Sequence, residues 1–412
     1  MAKATRPNGR IIDLFAGAGG WDEGLRELGH EALGIEFDKL ACATGEAAGH
    51  PRLLADVAAL DPHDFGPLWG LIGSPPCQAY SNAGKKLGLD DKQHVIACAH
   101  ELAAGNDSRA EHAERCKDPR SLLTVEPLRW ALALRPRWIA LEQVPPVLEL
   151  WTIFASLLTL HGYQAVAGVL SAEQYGVPQT RRRAFLIASL DGPVRLPEPT
   201  HRSYNPRKPC EVREHERHLR PWVSMGDALD WRRPGVTYTN NQTCSGRRPK
   251  GLRRPTTCPA RTLDTCSGSW TIEPIRDATT VPDGLDPRQG RAKVRPVSVP
   301  SFTLLSSGLS HGQPVWVHRR PATTILGDPR VQPPGHKRNA ADPSGRCGGR
   351  VSANAARVSV AQATVLQGFR PGYPWQGSRY QQFRQIGNAV CPPIARVVLA
   401  EAIRPSRSGR SR

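Results

Sequence analysis

The chain has 412 residues, 39% hydrophobic and 22% charged, which suits a folded protein with room for two domains. No apolar run approaches the roughly 20 residues of a membrane span, the opening Met1–Gly9 lacks the apolar core of a signal peptide, and the ten cysteines include no C-x-x-C pair, so a reduced, cytoplasmic protein without a membrane or disulfide framework is expected. The net charge of +18 is uneven: residues 201–346 hold 25 Lys and Arg against 12 Asp and Glu, +13 of the total, which points to a polyanionic partner, most simply nucleic acid.

In chain order, Arg10–Phe15 reads as a strand, Ala16–Gly20 as a tight glycine turn and Trp21–Leu28 as a helix closed by Gly29. Glycine lets a backbone approach a ligand closely, so this unit can cradle a cofactor. It is not the dinucleotide fingerprint, because Asp22 stands where the third glycine would be. The next strand, Ala32–Ile35, ends in Glu36, placed as acidic residues that bind ribose hydroxyls are placed. A helix over Asp38–Ala48 and a short strand at Leu53–Ala55 follow, with Asp56 at the strand's end.

Leu68–Ile72 is a buried strand that stops at Gly73-Ser74-Pro75-Pro76-Cys77-Gln78. Two prolines fix one extended exit from the sheet, so Cys77 is presented just past a strand's end, where ligands collect in open α/β sheets. That makes Cys77 a candidate nucleophile. Residues 79–117 read as a mobile loop followed by irregular or helical structure, and a long loop beside a nucleophile can act as a lid. Arg120–Leu134 reads as a helix and Pro136–Leu141 as a strand closed by Glu142-Gln143-Val144-Pro145-Pro146. A helix over Val147–His161 and strands over Tyr163–Leu170 and Ala184–Ala188 complete the pattern, with Gln179-Thr180-Arg181-Arg182-Arg183 between those strands. The alternation over residues 10–190 specifies a doubly wound, Rossmann-like parallel sheet.

Near Pro193 the texture changes to Pro, Gly, Arg, Thr and Ser with short apolar runs. The expected organisation is a first domain over 1–192, a smaller irregular β-rich domain over 193–345, a return to the first domain over 346–404 and a disordered basic tail over 405–412. The return carries a helix over Val358–Gly368, then Gln385-Ile386-Gly387-Asn388-Ala389-Val390 and a last helix over Ile394–Ile403.

Taken in order, these pieces resemble the DNA cytosine-5 methyltransferases. Asp13–Gly20 looks like that family's first cofactor motif, Pro76-Cys77-Gln78 its catalytic Pro-Cys-Gln, and Glu142-Gln143-Val144 its Glu-Asn-Val. Gln179-x-Arg181-x-Arg183 and Gln385-x-Gly387-Asn388-Ala389-Val390 match two more. Gln143 departs from the usual asparagine at a residue expected to orient the catalytic loop, and Pro75 stands where an aromatic is common.

The resemblance implies an α/β methyltransferase sheet with 193–345 as target recognition domain, S-adenosylmethionine as methyl donor and double-stranded DNA as partner. It allows a cognate restriction endonuclease beside a monomeric enzyme. Cys77, Glu142, Arg181 and Arg183 become the catalytic set. Phe15, Gly17, Gly19, Glu36, Phe37, Asp56, Val57, Pro76, Leu123, Asn388 and Val390 become the cofactor set, with Phe37 stacked on the adenine and Asp56 bonded to its amino group.

The residues suit that chemistry. Cytosine C5 is a poor nucleophile until a thiolate adds to C6. A thiol of pKa about 8.5 is only about 3% ionised at pH 7, so Cys77 needs help from a basic site. Glu142 can share a proton with N3, and Arg183 can hold developing charge. The target carbon lies inside the duplex stack, so the base must be extruded.

Three other readings are weaker. Gly308-Leu309-Ser310-His311-Gly312, with Asp328 and His336 behind it, fits a hydrolase elbow, but Gln313-Pro314 starts no helix. A non-catalytic DNA-binding module would not need Cys77, Glu142 and Arg183 together, and the long basic segment favours duplex DNA over transfer RNA. Cys244, Cys258 and Cys266 lack zinc-ligand spacing, so no metal is expected.

Overall fold

A computed structural model describes residues 9–76, 80, 87–205, 212–230 and 359–404, together with the backbone of seven short strands between 235 and 357. Cys77, Gln78, the Gly308–Gly312 elbow with Asp328 and His336, Cys244, Cys258, Cys266 and the 405–412 tail lie outside the described residues.

Eight strands occupy the first half: β1 Arg10–Leu14, β2 Leu33–Glu36, β3 Arg52–Leu54, β4 Leu68–Gly73, β5 Trp138–Gln143, β6 Gln164–Ser171, β7 Gln179–Thr180 and β8 Arg182–Ser189. Seven of them form one sheet in the order β3-β2-β1-β4-β5-β8-β6. The first five pair in parallel, but β8 runs antiparallel to both β5 and β6. The sheet is therefore mixed, and the all-parallel expectation is corrected at one strand. A fully buried strand reads as the same apolar run whichever way it points, so its direction was not in the pattern.

The helices are α1 Gly20–Glu27, α2 Lys39–Ala47, α3 Leu87–Asp90, α4 Lys92–Ala103, α5 Arg109–Arg115, α6 Glu126–Leu134, α7 Leu148–Leu160, α8 Met225–Ala228, α9 Val360–Leu366, α10 Arg379–Asn388 and α11 Pro392–Ala402. They cover both faces of the sheet. On one face Val95, Leu128, Trp130, Trp151 and Phe154 pack with Leu14, Leu71 and Leu141. On the other Trp21, Leu25, Ile394, Val398 and Leu399 pack with Ile72, Ala140 and Ile187. The last helix thus belongs to the core that the first helix begins. Burying these apolar side chains contributes about 1.5–3 kcal/mol each.

Two local differences have physical causes. The helix expected over Arg120–Leu134 is a 3-10 segment over Pro119–Val125 followed by α6. Pro127 lacks an N–H and is tolerated only in a first turn, so the α-helix restarts at Glu126. In residues 79–117 the helical part that the sequence allows after the loop takes the form of α4 and α5. Helix α10 appears where only a motif was seen; Ser378 and Gln381 form a capping box at its start, as Ser359 and Gln362 do for α9.

Beyond residue 230 the strands β9 Gly235–Thr239, β10 Leu252–Pro255, β11 Thr271–Pro274 and β15 Ala356–Arg357 form an antiparallel sheet ordered β10-β9-β11-β15. β12 Thr280–Leu285 and β13 Ala292–Pro296 pair with each other, and β14 Ala322–Thr323 pairs in parallel with β7. Among the described residues no helix is long and apolar enough to cross a membrane.

A 3-10 turn over Ala172–Tyr175, between β6 and β7, buries Glu173 with its Oε2 unpartnered. Burial lifts this carboxyl from 4.5 to about 7. Between those values the folded protein keeps a proton that the unfolded chain has released. The associated stability is full below the unfolded pKa and is lost as the pH rises through 7. Glu173→Gln should therefore match the wild type near pH 4.5 and exceed it by roughly 3 kcal/mol at pH 8, by urea unfolding. A difference that stays constant over this range would contradict the assignment.

Candidate active site

Each parallel strand releases a candidate residue at the same edge of the sheet. Phe15 follows β1, Glu36 ends β2, Asp56 follows β3, Pro75 and Pro76 follow β4, and Glu142 lies at the end of β5. Because β8 is reversed, Arg183 at its start reaches that edge too.

The central contact is an ion pair. Arg183 Nε stands 3.0 Å from Glu142 Oε1, and both residues are buried, 8% and 6% exposed. Arg183 also donates from Nη1 to the Arg182 carbonyl at 2.7 Å. A buried charge is costly unless paired and hydrogen-bonded, so each of these groups fixes the other. Next to them Gln143, 1% exposed, donates from Nε2 to the Pro75 carbonyl at 2.7 Å, while its Oε1 accepts from the Val144 N–H at 2.7 Å. The extra methylene relative to asparagine is thus used to bridge β5 to the Pro-Pro exit of β4.

Arg181 has a different surrounding from Arg183. Its guanidinium is buried and donates to the carbonyls of Gly387 at 3.0 Å and Ala389 at 3.1 Å. These contacts bind the closing Gly-Asn segment to the residue that leads into β8, so Arg181 ties two segments together. Gln179 does similar work from β7, donating to Leu366 O and Gln367 Oε1.

The glycine turn after β1 is held in an uncommon shape. Phe15 has φ 59°, Gly17 φ 56° and Gly19 φ 107°. A non-glycine residue in the left-handed region costs of order 1–3 kcal/mol, and such strain gathers at functional sites. A Cβ on Gly17 would meet nothing within 4 Å, so the loop borders open space there. A Cβ on Gly20 would lie 2.3 Å from the Val390 carbonyl, so the closing segment rests directly on the turn. Glu36 accepts from Gly17 N–H at 2.8 Å and Asp38 N–H at 2.7 Å. Phe37 is 75% exposed, unusual for so large an apolar ring.

The remaining expected residues fall around this rim. Asp56 is exposed and caps the turn after β3 through Ala58 N–H at 3.0 Å. Val57 has its side chain in the core, and its carbonyl accepts from Arg129 at 3.1 Å. Leu123 is half-buried, Asn388 is exposed at the end of α10, and Val390 is buried beneath Gly20. Cys391 is also buried beside this site, and burial pushes its thiol up to about 11, which makes it unreactive.

With this geometry in view, known proteins decide the family. Residues 9–100 and 107–404 match the model of the C-5 cytosine-specific DNA methylases. The chain belongs to that family. Its activity is methylation of cytosine at C5 in DNA. The type II methyltransferase M.AgeI of Thalassovita gelatinovora is 25% identical over 463 residues, 96% of this chain and 99% of its own length. The type II methyltransferase M.DdeI of Desulfomicrobium norvegicum is 31% identical over 193 residues, 43% of this chain and 40% of that protein. The solved structure of S. pombe Dnmt2 methyltransferase aligns over 95% of this chain and 97% of its own, at 13% identity and a TM-score of 0.47.

Several residues around this candidate site were not singled out in the sequence. Tyr373 donates its hydroxyl to the Ala18 carbonyl at 2.5 Å from 355 positions away. Trp21 Nε1 donates to Ser74 Oγ at 2.8 Å, joining the glycine turn's helix to the strand that carries the Pro-Pro exit. Glu126 holds Arg109 at 2.6 Å and Arg129 at 2.8 Å, and these arginines bond the carbonyls of Val57, Ala58 and Leu60 behind Asp56. Only the sequence-near pair Glu126–Arg129 carried a signal, its i, i+3 spacing.

The Gln143 bridge can be tested. Gln143→Leu would leave the Pro75 carbonyl unpaired, a loss of about 1–3 kcal/mol. Turnover of the methylase should fall roughly tenfold with little change in DNA affinity. Gln143→Asn should fall between the two. Wild-type turnover in the leucine variant would show that the bridge does not hold the loop.

Proposed function

We propose that the chain methylates cytosine within a specific duplex sequence, using S-adenosylmethionine and a covalent attack by Cys77 on C6 of a base turned out of the helix. The observation that carries this reading is the buried Glu142–Arg183 pair beside the Gln143 brace on Pro75, two residues before Cys77.

The residues fit the cofactor. Open space at Gly17, the Glu36 carboxylate, the exposed Phe37 ring and the exposed Asp56 supply a backbone cradle, a ribose acceptor, a stacking face and an adenine partner in sequence order. Phe15, Gly19, Val57, Pro76, Leu123, Asn388 and Val390 complete the proposed contact set. When bound, S-adenosylmethionine supplies an electrophilic methyl group.

The chain's own residues do the rest. The Cys77 thiolate forms a bond to C6, and the ring electrons move to C5. Glu142 shares a proton with N3 as charge develops there, and Arg183 keeps Glu142 oriented and faces the developing charge. After C5 is substituted, its proton leaves to a base, the electrons return to the ring and the C6–sulfur bond breaks. Extruding the cytosine costs a few kcal/mol, which DNA contacts must offset.

Residues 193–345 are proposed as the recognition domain, on their +13 share of charge over 201–346 and on the short strands described there. The enzyme works as a monomer in the cytoplasm, on DNA of the nucleoid. The type II names of its relatives support a restriction-modification setting with a cognate endonuclease.

Cys77→Ser should abolish methylation while S-adenosylmethionine still binds in calorimetry. A duplex with 5-fluorocytosine at the target should trap a covalent complex, because fluorine cannot leave as a proton does. Substantial turnover by the serine variant would sink the nucleophile assignment.

Transplanting 193–345 into a cytosine-5 methyltransferase of different specificity should transfer this chain's recognition sequence, read by sequencing the methylated product. Neutralising single phosphate-contacting arginines there, with Arg247, Arg248, Arg253 and Arg254 the first to try, should lower the salt slope by about 0.9 each. An active chimera that keeps the recipient's sequence would remove specificity from this segment.

A further inference from the structure

Beneath the glycine turn lies a charged cluster that the reaction does not use. Arg52 opens β3 with its side chain wholly buried. Its Nη2 donates to Asp22 Oδ2 at 2.6 Å and its Nη1 to the Pro51 carbonyl at 3.0 Å. Asp22 lies in the first turn of α1, directly after the glycine turn. Space for the guanidinium comes from two glycines. A Cβ on Gly34 would stand 2.5 Å from Nη1, and one on Gly45 2.4 Å from Nε. Arg52 therefore touches β2, α2 and α1 at once.

A second acid completes the cluster. Asp13 on β1 is fully buried, and neither carboxylate oxygen has a hydrogen-bond partner. Burial first, and then the Asp22 charge, hold its carboxyl well above the usual carboxylate range, against the opposing pull of Arg52. Arg52 is thus bonded to Asp22, and the unpartnered Asp13 carboxyl lies within reach of its charge. Glu23, beside Asp22, repeats the arrangement, with His50 Nε2 at 3.0 Å and Arg370 Nε at 3.4 Å. The first turn of α1 is fixed to β3 and to the C-terminal segment by charged contacts. Apolar packing tolerates small shifts of an element, whereas a short buried ion pair loses most of its benefit when displaced.

We propose that Arg52 and Asp22 are a positioning pair for the cofactor loop, holding the first turn of α1 so that the backbone of Phe15–Gly20 keeps the shape that binds S-adenosylmethionine. The proposal rests on the reading of this loop as the cofactor cradle. It gives Asp13 a role as reserve counter-charge. If Asp22 loses its charge, Asp13 can ionise and partner Arg52 in its place. The two acids should therefore substitute for one another, and their losses should be far from additive.

The test is calorimetric binding of S-adenosylmethionine to the full chain and its variants, with kcat and KM for methylation and affinity for a non-specific duplex alongside. In the wild type, binding is expected; its absence would remove the cradle reading itself and this inference with it. Given wild-type binding, Arg52→Met should raise the dissociation constant and KM for S-adenosylmethionine at least tenfold. Its DNA affinity, and its kcat at saturating cofactor, should stay within about twofold. Asp13→Asn should change cofactor affinity less than twofold and Asp22→Asn about threefold, while the double variant loses thirtyfold or more. Both are near-isosteric changes, so they decide the matter if Arg52→Met does not fold. A cooperatively melting Arg52→Met that binds cofactor as the wild type does would overturn the proposal. So would a double variant equal to the product of its singles.

Discussion

The reversed direction of β8 is the constraint on which the site depends. Glu142 and Arg183 are both buried, and neither could be buried alone without a large desolvation cost. They meet at 3.0 Å because the end of β5 and the start of β8 share one edge of the sheet. Were β8 parallel to β5, Arg183 would begin the strand at the opposite edge, about 20 Å away at roughly 3.3 Å per residue. The pairing of Glu142 with Phe185 and Gln143 with Ala184 then sets the register within that edge. A slip by one residue would turn Arg183 to the other face and leave two uncompensated charges.

Much of this was legible in the sequence. The five parallel strands are short apolar runs bounded by Gly, Pro or acidic residues, and their ends carry the residues that gather at the edge. Legibility failed where the deciding contact is distant along the chain. No local pattern says that Tyr373 reaches Ala18, or that Arg52 beneath Gly34 and Gly45 answers Asp22 in the next layer. It failed again where residue type is shared between roles. Arg181 and Arg183 stand two apart in one motif, yet one guanidinium faces backbone carbonyls and the other a carboxylate. Only the geometry separates the two. The direction of β8 failed for a third reason, since burial on both faces erases the alternation that would have distinguished the options.

The closing Gly-Asn segment connects these observations. Gly387 and Ala389 are bound by Arg181, which leads into β8, while Val390 presses on Gly20 in the glycine turn. Gln367 adds a further hold, donating from Nε2 to the Ala389 carbonyl at 2.7 Å. One short stretch near the C-terminal helix is thus braced against both the proposed cofactor loop and the strand that carries Arg183. Group transfer between two bound partners needs the reacting atoms about 3–3.5 Å apart, and a misplacement of 1 Å can cost a hundredfold. A single rigid segment shared by both half-sites limits their relative drift to the play in its own hydrogen bonds. That accounts physically for the burial of Arg181. Its charge costs desolvation, and the return is a fixed distance between the place where the donor would lie and the place where the base would be held.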